Sequence, residues 1–208
     1  MPASSSGGRP EAGPGNTISP LEQVRAWYDE AVAAGVPEPE AMALATASPE
    51  GMPSVRIVLL KGIHARGIRF FTNYESRKGR ELEANPRAAA TLYWQPLARA
   101  VRLEGVVVRL EEEDSDAYFA SRPRGSRLGA LASRQGSVIS SREALEHALE
   151  RIEAEHPGEP VPRPDYWGGY ELIPEAVELW EGRANRLHER VHFLLEPDGG
   201  WRTERLSP

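Results

Sequence analysis

The sequence predicts a mainly β protein with peripheral helices (α+β), its strands closed into a barrel. Three observations carry this. Short β-rich segments recur between turn signals, capped helical segments punctuate them, and the 208 residues contain no internal repeat. Closing such strands into a barrel disposes of the sheet edges that several short strands otherwise leave exposed.

The elements follow in order. Residues 1–17 are Ser, Gly and Pro with almost nothing to bury, and read as a disordered tail before one domain over 18–208. Ser19-Pro20-Leu21-Glu22 reads as a capping box with Pro at the first helical position. Leu21, Val24, Tyr28 and Ala31 then share a helical face until Gly35. Residues 42–47 and 55–60 read as strands around a Ser48-Pro49-Glu50-Gly51 hairpin loop, with further strands at 68–72, 88–93 and 101–110. A short helix over 76–84 ends at Asn85-Pro86.

In the second half, a helical segment at 114–121 precedes a loop, Arg122-Pro123-Arg124-Gly125-Ser126. A capped helix from Ser140 should bury Ala144, Leu145, Ala148, Leu149 and Ile152. Residues 157–165 carry four prolines and form a rigid connector. Strands at 169–174 and 177–180, and a hairpin around Pro197-Asp198-Gly199-Gly200, complete the chain.

Composition narrows the chemistry. Lys and Arg number 25 against 31 Asp and Glu, a net −6, which argues against nucleic acid and against an anionic membrane as partners. With no cysteine there is no disulfide, thiolate metal site or cysteine nucleophile. No apolar run approaches the ~20 residues that span a bilayer, and the opening residues have no signal-like apolar core, so a cytoplasmic protein is expected.

The positive charges are nevertheless bunched. Arg56 and Lys61 bracket an apolar strand, a costly arrangement unless each cation finds an anion or sits at an exposed strand end. Ser76-Arg77-Lys78-Gly79-Arg80 puts cations at a helix N-terminus. That suits a docked phosphate, or else a solvated turn balanced by Glu81 and Glu83. Tyr118, Arg122, Arg124 and Ser126, with Arg127 behind, can surround a phosphate monoester or form a plain surface loop. Two separate clusters point to two small anions. A fourth segment, 180–192, contains HExxH from His188 to His192. On a helix those histidines could share zinc, with Glu189 as base; on a strand they stand roughly 13 Å apart, too far for one metal. The strand-like flanks favour the second geometry, and no metal is expected.

Taken in order, RIVLLK (56–61), FFTNYESRKGRELEANP (70–86), YFASRPRGSRLGALASRQ (118–135), WGGYEL (167–172), RLHERV (186–191) and the terminal RLSP resemble the pyridoxine (pyridoxamine) 5′-phosphate oxidase family. The resemblance runs from about Pro20 to Pro208. It implies an FMN-binding split β-barrel, a homodimer with flavin sites at the subunit interface and a C-terminal region serving dimerisation and substrate. It also implies oxidation of pyridoxine or pyridoxamine 5′-phosphate to pyridoxal 5′-phosphate, with O₂ reduced to hydrogen peroxide.

By the same resemblance, Arg56, Arg77 and Lys78 serve mostly the FMN phosphate end. Ile57, Val58, Leu59, Leu60, Phe71, Thr72, Gln135, Trp180 and Arg190 match other flavin-contacting positions. Lys61, Tyr118, Arg122 and Ser126 match the substrate-phosphate site, and Arg186 and His188 the catalytic pair over the pyridine ring, positioning residues first. Three departures stand out: Ala100 where Gln is usual, Gly136 where Ser is common, and no counterpart in residues 1–17 of a segment that closes over substrate. They imply weaker FMN retention and a less covered site. Alternatives are a related flavin oxidase of the phenazine-pathway type and a non-catalytic flavin- or pyridoxal-phosphate-binding protein.

Overall fold

A computed structural model describes residues 19–158 and 160–208; the tail expected over 1–17 lies outside these. The chain runs α1 (Pro20–Ala33), β1 (Ala41–Ala47), β2 (Pro53–Leu59), β3 (Gly62–Ile63), β4 (Ile68–Asn73), α2 (Arg77–Ala84), β5 (Arg87–Trp94) and β6 (Arg99–Arg109). Then come α3 (Glu112–Ser121), α4 (Arg124–Ala132), α5 (Arg142–Glu155), β7 (Trp167–Glu181), β8 (Glu189–Leu195) and β9 (Trp201–Arg205). None of the described helices is long and apolar enough to cross a membrane.

One antiparallel sheet runs β2-β1-β5-β6-β7-β4-β3 and curls until β2 and β4 touch without a ladder among the described residues. The barrel splits along β7. Its first half pairs with β4, Ile68 opposite Leu172 through Asn73 opposite Trp167; its second half pairs with β8, Ala176 opposite Leu194 through Glu181 opposite Glu189. Strand β6 lines the other edge throughout, with a register shift between Glu104 and Gly105. Pro174, which has no N–H for a ladder, sits where the β4 pairing has ended and the β8 pairing has not begun. Opposite it, a Cβ on Gly105 would stand 2.0 Å from the Ile173 carbonyl oxygen, so the crossing tolerates only glycine.

The barrel interior is filled by alternate strand residues. Met42 and Leu44 of β1, Leu92 and Trp94 of β5, Val101 and Leu103 of β6 and Phe70 of β4 are essentially solvent-free. Helix α1 lays Leu21, Val24 and Ala31 on this cluster, each large side chain contributing about 1.5–3 kcal/mol. Its start is as expected: Pro20 opens the helix and the Ser19 N–H donates to the Glu22 carboxylate at 3.1 Å. A smaller cluster of Phe119, Leu128, Val161 and Trp167 lies under α3 and α4.

Three expectations are corrected. Residues 122–126 are not all loop: α4 begins at Arg124, with Ser126 and Arg127 N–H groups already bonded to the Pro123 carbonyl. Pro123 suits a helix start, and burial of Leu128 holds the turn in place. Segments 169–174 and 177–180 are one strand, β7, because the bulge absorbs Pro174. The face expected to be buried on α5 is largely open: Ala144, Leu145 and Leu149 are exposed, while Ala148 and Ile152 are half-buried. Helix α5 lies chiefly against α4, too narrow a neighbour to cover it.

Candidate functional site

Beside the split, a cavity of about 440 Å³ opens between β2, β4 and the α3–α4 corner. Alternation along β2 decides which side chains reach it. Arg56 and Val58 lean inward and Leu60 enters the core, while Ile57, Leu59 and then Lys61 stay exposed on the cavity side. Val58 also borders it. Strand β4 adds Phe71 and Thr72, α2 adds Lys78, and Tyr118, Arg122, Pro123, Ser126 and Gln135 close the opposite wall. Thus Lys61, Lys78 and Arg122, drawn from three separate basic segments, meet around one space.

An aromatic stack forms the floor. Phe71 lies 3.9 Å from Tyr118 with planes 21° apart, and both stack on Trp167 at 5.7 Å and 6.2 Å. The Arg122 guanidinium sits 4.7 Å from the Trp167 ring and 5.5 Å from Phe119. Its Nη1 is buried with no hydrogen-bond partner among the described residues. Burial pushes the Arg122 pKa down, Tyr118 opposing, and burial likewise pushes the Tyr118 phenol up. A guanidinium that lines a cavity, stacked on aromatic rings and without a carboxylate partner among the described residues, has the chemistry to receive an anion.

Lys78 is a second cation on the cavity wall. Its buried Nζ donates only to neutral oxygens: Thr72 Oγ1 at 3.0 Å, Ser76 Oγ at 3.2 Å and Gln135 Oε1 at 2.8 Å. No carboxylate pairs with it among the described residues. Burial, reinforced by the nearby Arg56 charge, brings its pKa down to about 8. Ser76 caps the helix, its Oγ accepting from Gly79 N–H at 3.3 Å.

Arg56 and Arg77 are held differently. Both turn to Glu81, Arg77 Nε at 2.8 Å and Arg56 Nη2 at 3.4 Å, while Arg56 Nη1 donates to Thr46 Oγ1 at 2.6 Å. Burial raises the Glu81 carboxyl, but the Ser54 and Thr46 hydroxyls and Arg77 outweigh it and hold it at about 2. This buried carboxylate occupies the two arginines within a single chain.

The remaining expected residues lie on the β7–β8 hairpin and do not line this cavity. The Trp180 and His188 rings are 4.7 Å apart, and Arg186 is exposed. Arg190 grips the buried Glu178 through Nε at 2.7 Å and Nη2 at 3.0 Å. The HExxH segment enters β8 at Glu189, so it offers no helical zinc face. Sequence reasoning missed Trp167 as a site residue; the available signal was its place before Gly168-Gly169, a pair close to Tyr74 and Phe71.

Comparisons with known proteins bear on this geometry. Residues 28–156 match the family described as pyridoxamine 5′-phosphate oxidase, and residues 167–208 match the pyridoxine 5′-phosphate oxidase C-terminal dimerisation region. The chain is 56% identical over 189 residues to a pyridoxine/pyridoxamine 5′-phosphate oxidase of Rubrobacter xylanophilus, covering 91% of this chain and 87% of that protein. It is 57% identical over 192 residues to the Bordetella pertussis protein of the same name, covering 91% and 90%. Among solved structures, PhzG from Burkholderia lata, in complex with tetrahydrophenazine-1-carboxylic acid, is 34% identical with a TM-score of 0.86, covering 91% and 92% of the two chains. An FMN-binding protein from Nostoc punctiforme shares the fold, with a TM-score of 0.74 at 20% identity, covering 93% and 100%.

Proposed function

This chain belongs to the pyridoxamine 5′-phosphate oxidase family, and from that premise we propose that it oxidises pyridoxine or pyridoxamine 5′-phosphate to pyridoxal 5′-phosphate, using FMN and O₂. The observation that carries the reading is the Arg122 guanidinium, unsatisfied at Nη1 among the described residues, in the cavity wall with Tyr118, Ser126 and Lys61. A phosphorylated substrate satisfies it; a carboxylated tricycle of the PhzG type has no phosphate for a receptor of this kind.

Lys78 supports the cofactor assignment. A buried ammonium bonded only to neutral oxygens lacks an anion, and the flavin phosphate supplies one. Arg56 and Arg77 lie behind this wall on Glu81, while Ile57, Val58, Leu59, Phe71, Thr72 and Gln135 offer the apolar and amide surface a flavin ring needs. FMN held there would supply the redox chemistry, a two-electron oxidation at the substrate C4′ carbon coupled to reduction of O₂.

The chain's own part is placement. Lys61, Arg122, Ser126 and Tyr118 hold the substrate phosphate, and the aromatic stack excludes water. Trp180, Arg186, His188 and Arg190 lie in the segment that matches the family's dimerisation region. In this reading a second copy brings them over the flavin and pyridine rings. The alcohol substrate yields aldehyde and hydrogen peroxide; the amine also consumes water and releases ammonia.

The test is anaerobic addition of pyridoxine 5′-phosphate to FMN-loaded protein. Bleaching of the flavin bands, followed by pyridoxal 5′-phosphate and peroxide on readmitting air, is the expected result. Retained colour with both phosphorylated vitamers overturns the reading, and bleaching by a dihydrophenazine carboxylate alone favours the PhzG-type activity.

A further inference from the structure

We propose that Arg183 is a positioning residue for His188, presenting that ring to substrate as a hydrogen-bond donor through Nε2; the substrate part of this rests on the oxidase reading above. The loop of residues 182–188 joins β7 to β8 over an awkward base. Glu181 and Glu189 face each other across the ladder, and like charges directly opposite destabilise a strand pair. Arg183 resolves this. Its Nη2 lies 3.1 Å from Glu181 Oε2 and 3.3 Å from Glu189 Oε2, so one cation ties both strand ends together.

The backbone of the same residue reaches the ring. Arg183 N–H donates to His188 Nδ1 at 3.2 Å. A ring nitrogen that accepts an N–H carries no proton of its own, so the neutral imidazole holds its proton on Nε2. Trp180 packs on the ring at 4.7 Å and fixes its plane. To bring residues 183 and 188 together the chain passes through two successive left-handed residues, Asn185 at φ 58° and Arg186 at φ 61°. Asn takes this conformation readily, whereas at Arg186 it costs on the order of 1–3 kcal/mol. The strain persists because the Arg183 contacts at both ends of the loop hold it.

The chemical consequence is specific. With Nε2 protonated and Nδ1 engaged, His188 donates to an oxygen on the substrate ring and does not remove the C4′ hydroxyl proton. Both vitamers carry the ring oxygen, whereas only the alcohol carries that hydroxyl.

Two readouts test this. In ¹⁵N-histidine-labelled holoprotein, with the His188 signals assigned by their loss in His188→Gln, neutral His188 is expected as the Nε2–H tautomer. Arg183→Ala should raise the Nδ1–H population and the KM, and Arg183→Lys should restore both. A dominant Nδ1–H tautomer in the unsubstituted protein, or an Arg183→Ala protein with tautomer and KM unchanged, overturns the proposal. In turnover, His188→Gln, whose amide nitrogen can replace Nε2–H, should exceed His188→Asn by about three- to tenfold in kcat/KM. Each variant should lower alcohol and amine oxidation by the same factor; loss confined to the alcohol makes His188 a base and refutes the inference. If neither vitamer is oxidised, the oxidase reading fails, while the NMR result still decides the positioning role.

Discussion

Replacing Arg122 by Met separates binding from stability, because the same guanidinium has opposite effects on the two. Its buried Nη1 has no partner among the described residues, a desolvation penalty of about 1–3 kcal/mol that the substitution removes. Against this stand two cation–π contacts, on Trp167 and Phe119, worth about 0.5–1 kcal/mol each when exposed and more when desolvated. The Met sulfur recovers part of that on the same rings. The net is within about 1.5 kcal/mol of zero, so Tm should move by less than about 6 °C. Substrate binding should respond far more. Losing a hydrogen bond to a charged phosphate costs about 1.5–3 kcal/mol, or a KM for pyridoxine 5′-phosphate raised about 10- to 150-fold. The assay is steady-state peroxide release with pyridoxine 5′-phosphate and, in excess, unphosphorylated pyridoxine, alongside a thermal melt. Equal losses with both substrates, or a Tm fall beyond about 10 °C, would refute the phosphate role and make Arg122 a packing residue.

Other outcomes follow from the same wall. Lys78 has a folded pKa of about 8 against an ordinary 10.5, so the unfolded chain binds the proton more tightly; stability of the FMN-free protein should rise with pH across that window. FMN affinity should fall as pH rises above about 8 and the ammonium is lost, and Lys78→Met should flatten both profiles, read by melts and flavin fluorescence titration. Glu81, held at about 2, contributes stability that is present above about 4.5 and lost as pH falls toward 2. Glu81→Gln leaves Arg56 and Arg77 without their carboxylate and should cost about 2–3 kcal/mol, a Tm fall of about 4–12 °C. Ala100 stands beside Trp180 and Tyr93 across the ladders, and Ala100→Gln should lower the FMN dissociation constant. An unchanged constant would mean that the contact missing there is already replaced.

Several strands were legible because they alternate, β1 most cleanly, with Met42, Leu44 and Thr46 buried between half-exposed neighbours. The start of α4 was not: Arg-Pro-Arg-Gly-Ser has the composition of a turn, and only burial of Leu128 decides for helix. Pro174 made one strand look like two, since proline is tolerated inside a sheet only where a bulge or a change of partner excuses its missing donor. At the site, clustered cations marked segments that meet at one cavity, but charge counting cannot tell a cation awaiting a ligand from one already paired. Lys78 is bonded only to neutral oxygens, whereas Arg56 and Arg77 are satisfied by Glu81, a partner no local spacing singles out for both. The helical phase of α5 gave its apolar face but not whether anything would cover it.

The fork in β7 also sets a timetable for biosynthesis. Strand β4 has β7 as its main partner, and its Arg69 meets Glu171 only 102 residues further along the chain. At about 5–20 residues per second of translation, the apolar β4 segment around Phe70 waits roughly 5–20 s beyond the ribosome with its edge unpaired. During that interval it is a template for neighbouring nascent chains. Arg69 and Asn73, flanking the apolar core of the segment, are thus gatekeepers in the nascent chain before they are structural residues in the finished one.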